Sequence, residues 1–218
     1  VSHELRTPLT SIQGYTSRLL RQDIEIDKET QQKSLKVIKK QSERLKRMIE
    51  DLLVIPDIED SRLNVIMDSI SVQEVVDDAI LLIKNSSSKT IVNTIPENLP
   101  LIYADRDRFE QVIINLIENA VKYAEDDTEI LIKACEDNGK VCIEINNKYP
   151  LISREKLKTL FDKFTRMDDK TTRTTRGTGL GLFIVKGLVE AMNGEVRLYS
   201  TEEYGFSVKI FFEKANQE

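Results

Sequence analysis

Residues 105–124 read Asp-Arg-Asp-Arg-Phe-Glu-Gln-Val-Ile-Ile-Asn-Leu-Ile-Glu-Asn-Ala-Val-Lys-Tyr-Ala. Phe109, Val112, Ile113, Leu116, Ile117 and Ala120 recur at three- and four-residue spacing, the stripe of a helix that buries one face. Asp105 stands where a side chain can cap that helix, which is expected over about 107–124. Asn115, Asn119, Lys122 and Tyr123 then project together as a polar face on an otherwise buried element. Asparagine oxygens can bind a hard cation and a lysine can face a phosphate as a point charge, so the spacing fits a metal and nucleotide site. A polar seam satisfied by backbone groups is the other reading that the spacing leaves open.

Beyond the helix, two alternating runs at 129–136 and 140–146 surround Asp137-Asn138-Gly139, a strong turn signal, and predict a β-hairpin. A helix at about 154–161, a polar loop at 167–176 read as mobile, a helix at about 180–192 ending at Asn193-Gly194, and strands at 195–200 and 206–212 follow. On the N-terminal side, Ser71-Val-Gln-Glu74 has the capping-box arrangement that opens a helix to about Lys84, and short strands are expected at 91–95 and 101–103. Together these predict an α/β sandwich, with helices on one face of a mixed, mostly antiparallel sheet.

The first part of the chain is different in kind. Leu5, Leu9, Ile12, Leu19 and Leu20 mark one amphipathic helix, and Leu35, Ile38, Leu45, Met48, Ile49 and Leu52 mark a second from about 28 to 54, which Pro56 is expected to stop. Two such helices leave their apolar stripes half covered. Pairing with a copy of the same hairpin into a dimeric four-helix bundle meets that need, and packing against the rest of the same chain is the alternative. The expected division is a hairpin domain at 1–55, a linker at 56–69, the α/β domain at 70–214 and a tail at 215–218.

Of 218 residues 40% are hydrophobic and 32% charged, and the net charge of −5 leaves no broad basic field for nucleic acid or anionic lipid. Phosphate recognition must therefore be local. No apolar run approaches the ~20 residues that cross a bilayer, so no membrane contact is expected from this stretch and a cytoplasmic location is. Cys135 and Cys142 sit in the alternating runs without disulfide-framework or zinc spacing, and are read as reduced core thiols. The abrupt start at Val1-Ser2-His3, inside an expected helix, suggests a fragment of a longer protein.

His3 is the only histidine. It is expected on the solvent side of the first helix beside Glu4, a carboxylate able to polarise the ring so that a nitrogen can attack a phosphoryl group. A surface His-Glu pair alone is usually two solvated side chains. The string Ser2-His3-Glu4-Leu5-Arg6-Thr7-Pro8-Leu9 is more specific, and three further strings follow in order: Asn115 to Tyr123, Phe161-Asp-Lys-Phe164-Thr-Arg166, and Arg176-Gly177-Thr178-Gly179-Leu180-Gly181-Leu182-Phe183. The last is a glycine-rich turn opening a helix, whose backbone N–H groups can cradle an anion.

These four strings resemble the H-, N-, F- and G2-boxes of the two-component sensor histidine kinases. The resemblance covers nearly the whole chain and implies a dimerising hairpin followed by a Bergerat-type ATP-binding fold. It implies that His3 is phosphorylated from ATP and passes the group to an Asp of a response regulator receiver domain. Glu4 would serve as base, and Thr7 in the Glu-x-x-Thr arrangement would serve regulator dephosphorylation. Asn119 would hold Mg²⁺ with Asn115 in support, while Lys122, Tyr123, Gly177, Gly179, Leu180 and Gly181 would meet the nucleotide and Arg166 its γ-phosphate. Hydrolytic relatives carry a Glu at the position of Asn115, so the amide favours transfer to His3 over transfer to water.

Two places depart from the family pattern. The G1 box, roughly Asp-x-Gly-x-Gly, is Asn147-Lys148-Tyr149-Pro150-Leu151 here, so the adenine-binding carboxylate has become an amide and both glycines are bulky. The last glycine motif keeps Gly205 and Ser207, with Glu203 where another glycine is usual. Weaker or altered ATP binding is expected. A dimeric scaffold or phosphatase that binds ATP weakly or not at all, and a gyrase-type hydrolase, are the other readings.

Overall fold

The computed structural model describes residues 2–21, 23, 26–84, 89–165 and 178–215, with residues 2–4 described by backbone alone. The chain divides into two compact units between Ile55 and Pro56.

The first unit is a pair of helices, α1 (Ser2–Leu19) and most of α2 (Lys28–Glu59). Asp27 caps α2 with a carboxylate that accepts from Thr30 N at 2.8 Å and Thr30 Oγ1 at 2.6 Å. Leu9, Leu20, Leu35, Ile49 and Leu53 are exposed in the single chain, so much of the apolar stripe lies open to solvent. Pro56 does not stop α2, which continues to Glu59. A proline removes only one N–H, and the next turn closes regardless, with Asp60 N donating to Pro56 O at 2.9 Å and Arg62 N to Asp57 O at 2.8 Å. Helical bonding ends near Ser61, whose φ is 51°.

The second unit holds, in order, β1 (Asp68–Ile70), α3 (Val72–Lys84), β2 (Ile91–Asn93), β3 (Ile102–Ala104), α4 (Arg106–Tyr123), β4 (Ile130–Asp137), β5 (Lys140–Asn147), α5 (Arg154–Thr159), α6 (Gly181–Ala191), β6 (Glu195–Thr201) and β7 (Gly205–Glu213), and from α3 onward this order is the expected one. Five strands run in the order β2-β4-β5-β7-β6, antiparallel except for the parallel pair β2–β4, and β1 pairs with β3 as a separate two-stranded sheet. Asp68 and Ser69 of β1 fall in the stretch read from sequence as linker.

One face of the large sheet, carrying Ile130, Ile132, Ile143, Ile145, Val208 and Ile210, is buried with α4 and α6, whose Phe109, Val112, Ile113, Ile117, Ile184 and Leu188 are fully enclosed. At about 1.5–3 kcal/mol for each large side chain removed from water, this core dominates the stability of the unit. Phe109 meets Phe212 edge to face, with ring centroids 5.4 Å apart. Buried Asp105 fixes the start of α4 by accepting from Arg108 N at 3.0 Å and from Ile66 N at 2.7 Å. These packed layers hold the polar face of α4 in register against the start of α6.

Candidate functional site

Asn115 and Asn119 are half-buried on α4, among neighbours that are fully buried. Asn119 lies against the first residue of α6: a Cβ added at Gly181 would stand 3.1 Å from Asn119 Nδ2 and 3.6 Å from Oδ1. Glycine there lets the amide approach a helix start that has no side-chain cap, while Leu180, fully buried, pins that start to the core. Helix N-termini of this kind attract anions through their backbone N–H groups.

Gly179 has φ +70°, and a Cβ would come within 2.8 Å of Phe164 C and Thr165 O, so only glycine fits. Phe164 N donates to Gly179 O at 3.0 Å, which ties the Phe161–Phe164 segment to the turn before α6. Gly177, Arg166 and the polar stretch 167–176 lie outside the described residues.

At the C-terminal end of α4, Lys122 Nζ donates to Tyr123 Oη at 2.7 Å and stands 4.4 Å from that ring's centroid. Tyr123 meets Tyr149 edge to face, with centroids 6.4 Å apart. Tyr149 is buried, whereas Leu151 is 55% exposed, so of the two bulky residues replacing the expected glycines only Tyr149 enters the interior.

Asn147 ends β5 on the face that carries Ile145 and Ile143, is 3% exposed, and turns its Nδ2 toward Lys148 O at 3.3 Å. The same carbonyl accepts from Glu125 N at 3.0 Å, just past α4. Gly205, with φ +80°, passes so close that a Cβ would lie 2.4 Å from Asn147 O. Ser207 does not join this group. It pairs with Asn146, and strand alternation puts both on the face opposite Asn147.

In the first unit, His3 and Glu4 belong to the first turn of α1 by backbone, and their side chains lie outside the description. Thr7 is half-buried one helical turn further on, next to a buried Pro8 inside the helix.

Two family descriptions match in the same order as these features. The His Kinase A (phospho-acceptor) domain matches residues 1–61, and the histidine kinase-, DNA gyrase B-, and HSP90-like ATPase matches residues 104–216, more than half the chain. The chain belongs to the two-component sensor histidine kinases.

Among relatives of this histidine kinase core, Sensor protein KdpD of Clostridium acetobutylicum is 35% identical over 90% of the chain, and Sensor protein kinase WalK of Staphylococcus aureus 34% identical over 96%. The chain spans 22% of KdpD and 51% of WalK. Among solved structures, histidine kinase ThkA in complex with the response regulator protein TrrA shares the fold, with TM-score 0.66, 23% identity and coverage of 99% of this chain and 60% of that one.

Two features of the kinase's second unit were not anticipated from motifs. Lys148, in the place of a variable G1 residue, donates from Nζ to the carbonyls of Glu202 and Glu203, both at 3.0 Å, and so holds the β6–β7 turn over the altered segment. At the other end, Lys163 pairs with Glu59, and Ile58 packs onto Gly187, where a Cβ would lie 2.5 Å from Ile58 Cγ2. Neither carries a motif signal. A glycine in the middle of the apolar α6 helix was the one available hint of close packing.

Proposed function

We propose that this core transfers the γ-phosphoryl group of ATP to His3 and then hands it to an Asp of a response regulator receiver domain, working as a homodimer. The observation that carries the reading is the seat formed by Asn119 and Gly181, a side-chain amide set against a helix start that has no side-chain cap. The pair suits a nucleotide whose phosphates face the N-terminus of α6 while their counter-ion faces α4.

Half-buried amide oxygens suit a hard cation, so Asn119, supported by Asn115, would hold Mg²⁺. That ion would offset charge on the phosphate oxygens. Lys122 supplies a further positive charge, Gly179, Leu180 and Gly181 shape the turn around the phosphates, and Gly177 and Arg166 are assigned to the same region by motif alone. Asn147 would accept from the adenine amino group through Oδ1, beside Tyr123.

In the transfer, a neutral imidazole nitrogen of His3 attacks the γ-phosphorus in line, the bond to the β–γ bridging oxygen breaks, and ADP departs with that electron pair. Glu4 takes the proton from the ring, and Thr7 serves the reverse work of directing water at the regulator's aspartyl phosphate. The exposed Leu9, Leu35, Ile49 and Leu53 supply the surface that a second copy would cover. ATP as donor requires the core to face the cytoplasm.

A second reading draws on one observation. Tyr149 is buried where the family has glycine, which favours a scaffold or phosphatase with weak nucleotide binding. Calorimetric titration with a non-hydrolysable ATP analogue and Mg²⁺ separates the two. Saturable, Mg²⁺-dependent binding lost in Asn119→Ala supports the kinase, and no binding up to millimolar analogue supports the scaffold.

A further inference from the structure

The two cysteines are direct cross-strand neighbours: Cys135 on β4 is paired with Cys142 on β5. The register is set by the turn between them. Asn138 (φ 49°) and Gly139 (φ 82°) form a two-residue loop of the I′ kind, which closes on Asp137 and Lys140 as a hydrogen-bonded pair. Pair types alternate along an antiparallel ladder, so Cys135 and Cys142, two steps further, are again a hydrogen-bonded pair with Cα atoms about 5.5 Å apart. Directly opposed residues point to the same face, and that separation falls inside the range of about 4.4–6.8 Å found across disulfides.

We propose that Cys135 and Cys142 form a reversible cross-strand disulfide when the protein meets hydrogen peroxide. Their environments divide the work. Cys135 is exposed and Cys142 buried, and burial pushes the Cys142 thiol up to about 11, so the thiolate that first meets the oxidant is that of Cys135. Its sulfur attacks one peroxide oxygen, the O–O bond breaks, and the departing hydroxide takes a proton to become water, leaving a sulfenic acid. Cys142 sulfur then attacks Cys135 sulfur. The S–O bond breaks, hydroxide leaves with the Cys142 thiol proton as a second water, and the two electrons lost by the sulfurs have reduced the peroxide.

The face on which the pair sits is the one that bears Lys133, Glu144, Lys209 and Arg197, opposite the helix-covered core. A bond there closes only the hairpin around Asn138, with no element to displace. The clamp lies at the end of the β4–β5 ladder remote from Asn147. With Cys135 exposed, such a bond belongs among the labile, readily reduced disulfides.

Hydrogen peroxide treatment of the intact chain, followed by mass spectrometry without reductant, tests this. Trypsin cuts after Lys133, Lys140 and Lys148, so the expected product is peptide Ala134–Lys140 linked to peptide Val141–Lys148, with loss of two hydrogens and full reversal by dithiothreitol. In Cys142→Ala the sulfenic acid at Cys135 should persist and be captured by dimedone, which the wild type should escape. The proposal is overturned by Cys135 reaching the sulfinic acid while Cys142 stays alkylatable, by a disulfide joining Cys135 of two molecules, by equal dimedone capture in both proteins, or by no oxidation at all.

Discussion

The Asn119 amide occupies the space beside Gly181, so that a Cβ at position 181 would stand 3.1 Å from Asn119 Nδ2. Such a contact requires the amide to yield by a few tenths of an ångström. Gly181→Ala is therefore expected to weaken binding of Mg²⁺ and ATP analogue about tenfold, ~1.4 kcal/mol, in calorimetry. Stability should hardly fall, because alanine is the better residue in a helix. Unchanged affinity would separate Asn119 from the nucleotide.

Gly205 and Gly139 share a left-handed backbone, φ +80° and +82°, but not their surroundings. Alanine at 139 meets nothing within 4 Å, whereas at 205 its Cβ would lie 2.4 Å from Asn147 O. Urea unfolding should show a loss of about 1–2 kcal/mol for Gly139→Ala, from backbone strain alone. For Gly205→Ala the backbone clash should raise it to about 3 kcal/mol or more. Equal losses would contradict the close approach of β7 to the altered G1 segment.

Asn147→Asp restores the carboxylate that the resemblance leads one to expect, yet the site is built around an amide. The substitution removes the Nδ2 donor to Lys148 O and sets a charge, 3% exposed, beside that carbonyl. The free protein should lose about 1–3 kcal/mol. Nucleotide binding should tighten in the same variant, through a charge-assisted bond to the base. Denaturation and calorimetry on one preparation check both, and a variant that is neither less stable nor a tighter binder would refute the placement of the base.

The buried Cys142 thiol is raised from 9.0 to about 11, first by desolvation and then by the neighbouring Cys135. Between those values the unfolded thiol ionises while the folded one keeps its proton, so the folded state binds more protons and stability must fall as pH rises from 9 toward 11. Under reducing conditions, stability measured across that range should decline more steeply in the wild type than in Cys142→Ala. Parallel curves would show that the thiol ionises as freely in the folded protein as in the unfolded one.

Where side-chain pattern alone decides structure, the sequence was readable. The α4 stripe, the Asp105 cap and the hairpin at Asn138-Gly139 each depend on neighbours within a few residues, and each is found within a residue or two of its expected place. Features that depend on distant partners were not. Three-residue β1 exists because β3 pairs with it, and α2 runs through Pro56 because one missing N–H does not end a helix whose next turn can still close. Ser207 fell on the wrong face because motif spacing ignores strand alternation, whereas counting outward from the turn at 138–139 would have placed Cys135 opposite Cys142. The role of Lys148 had no local signal, since its partners lie more than fifty residues away.

The proposed activity requires His3 to receive the γ-phosphoryl group, and labelling the protein with γ-radiolabelled ATP and Mg²⁺ tests it most directly. The expected result is an acid-labile, base-stable label in the wild type that is absent from His3→Gln and from Asn119→Ala, with both variants folded by circular dichroism. Label retained in His3→Gln, or steady phosphate release with no label on the protein, would contradict it.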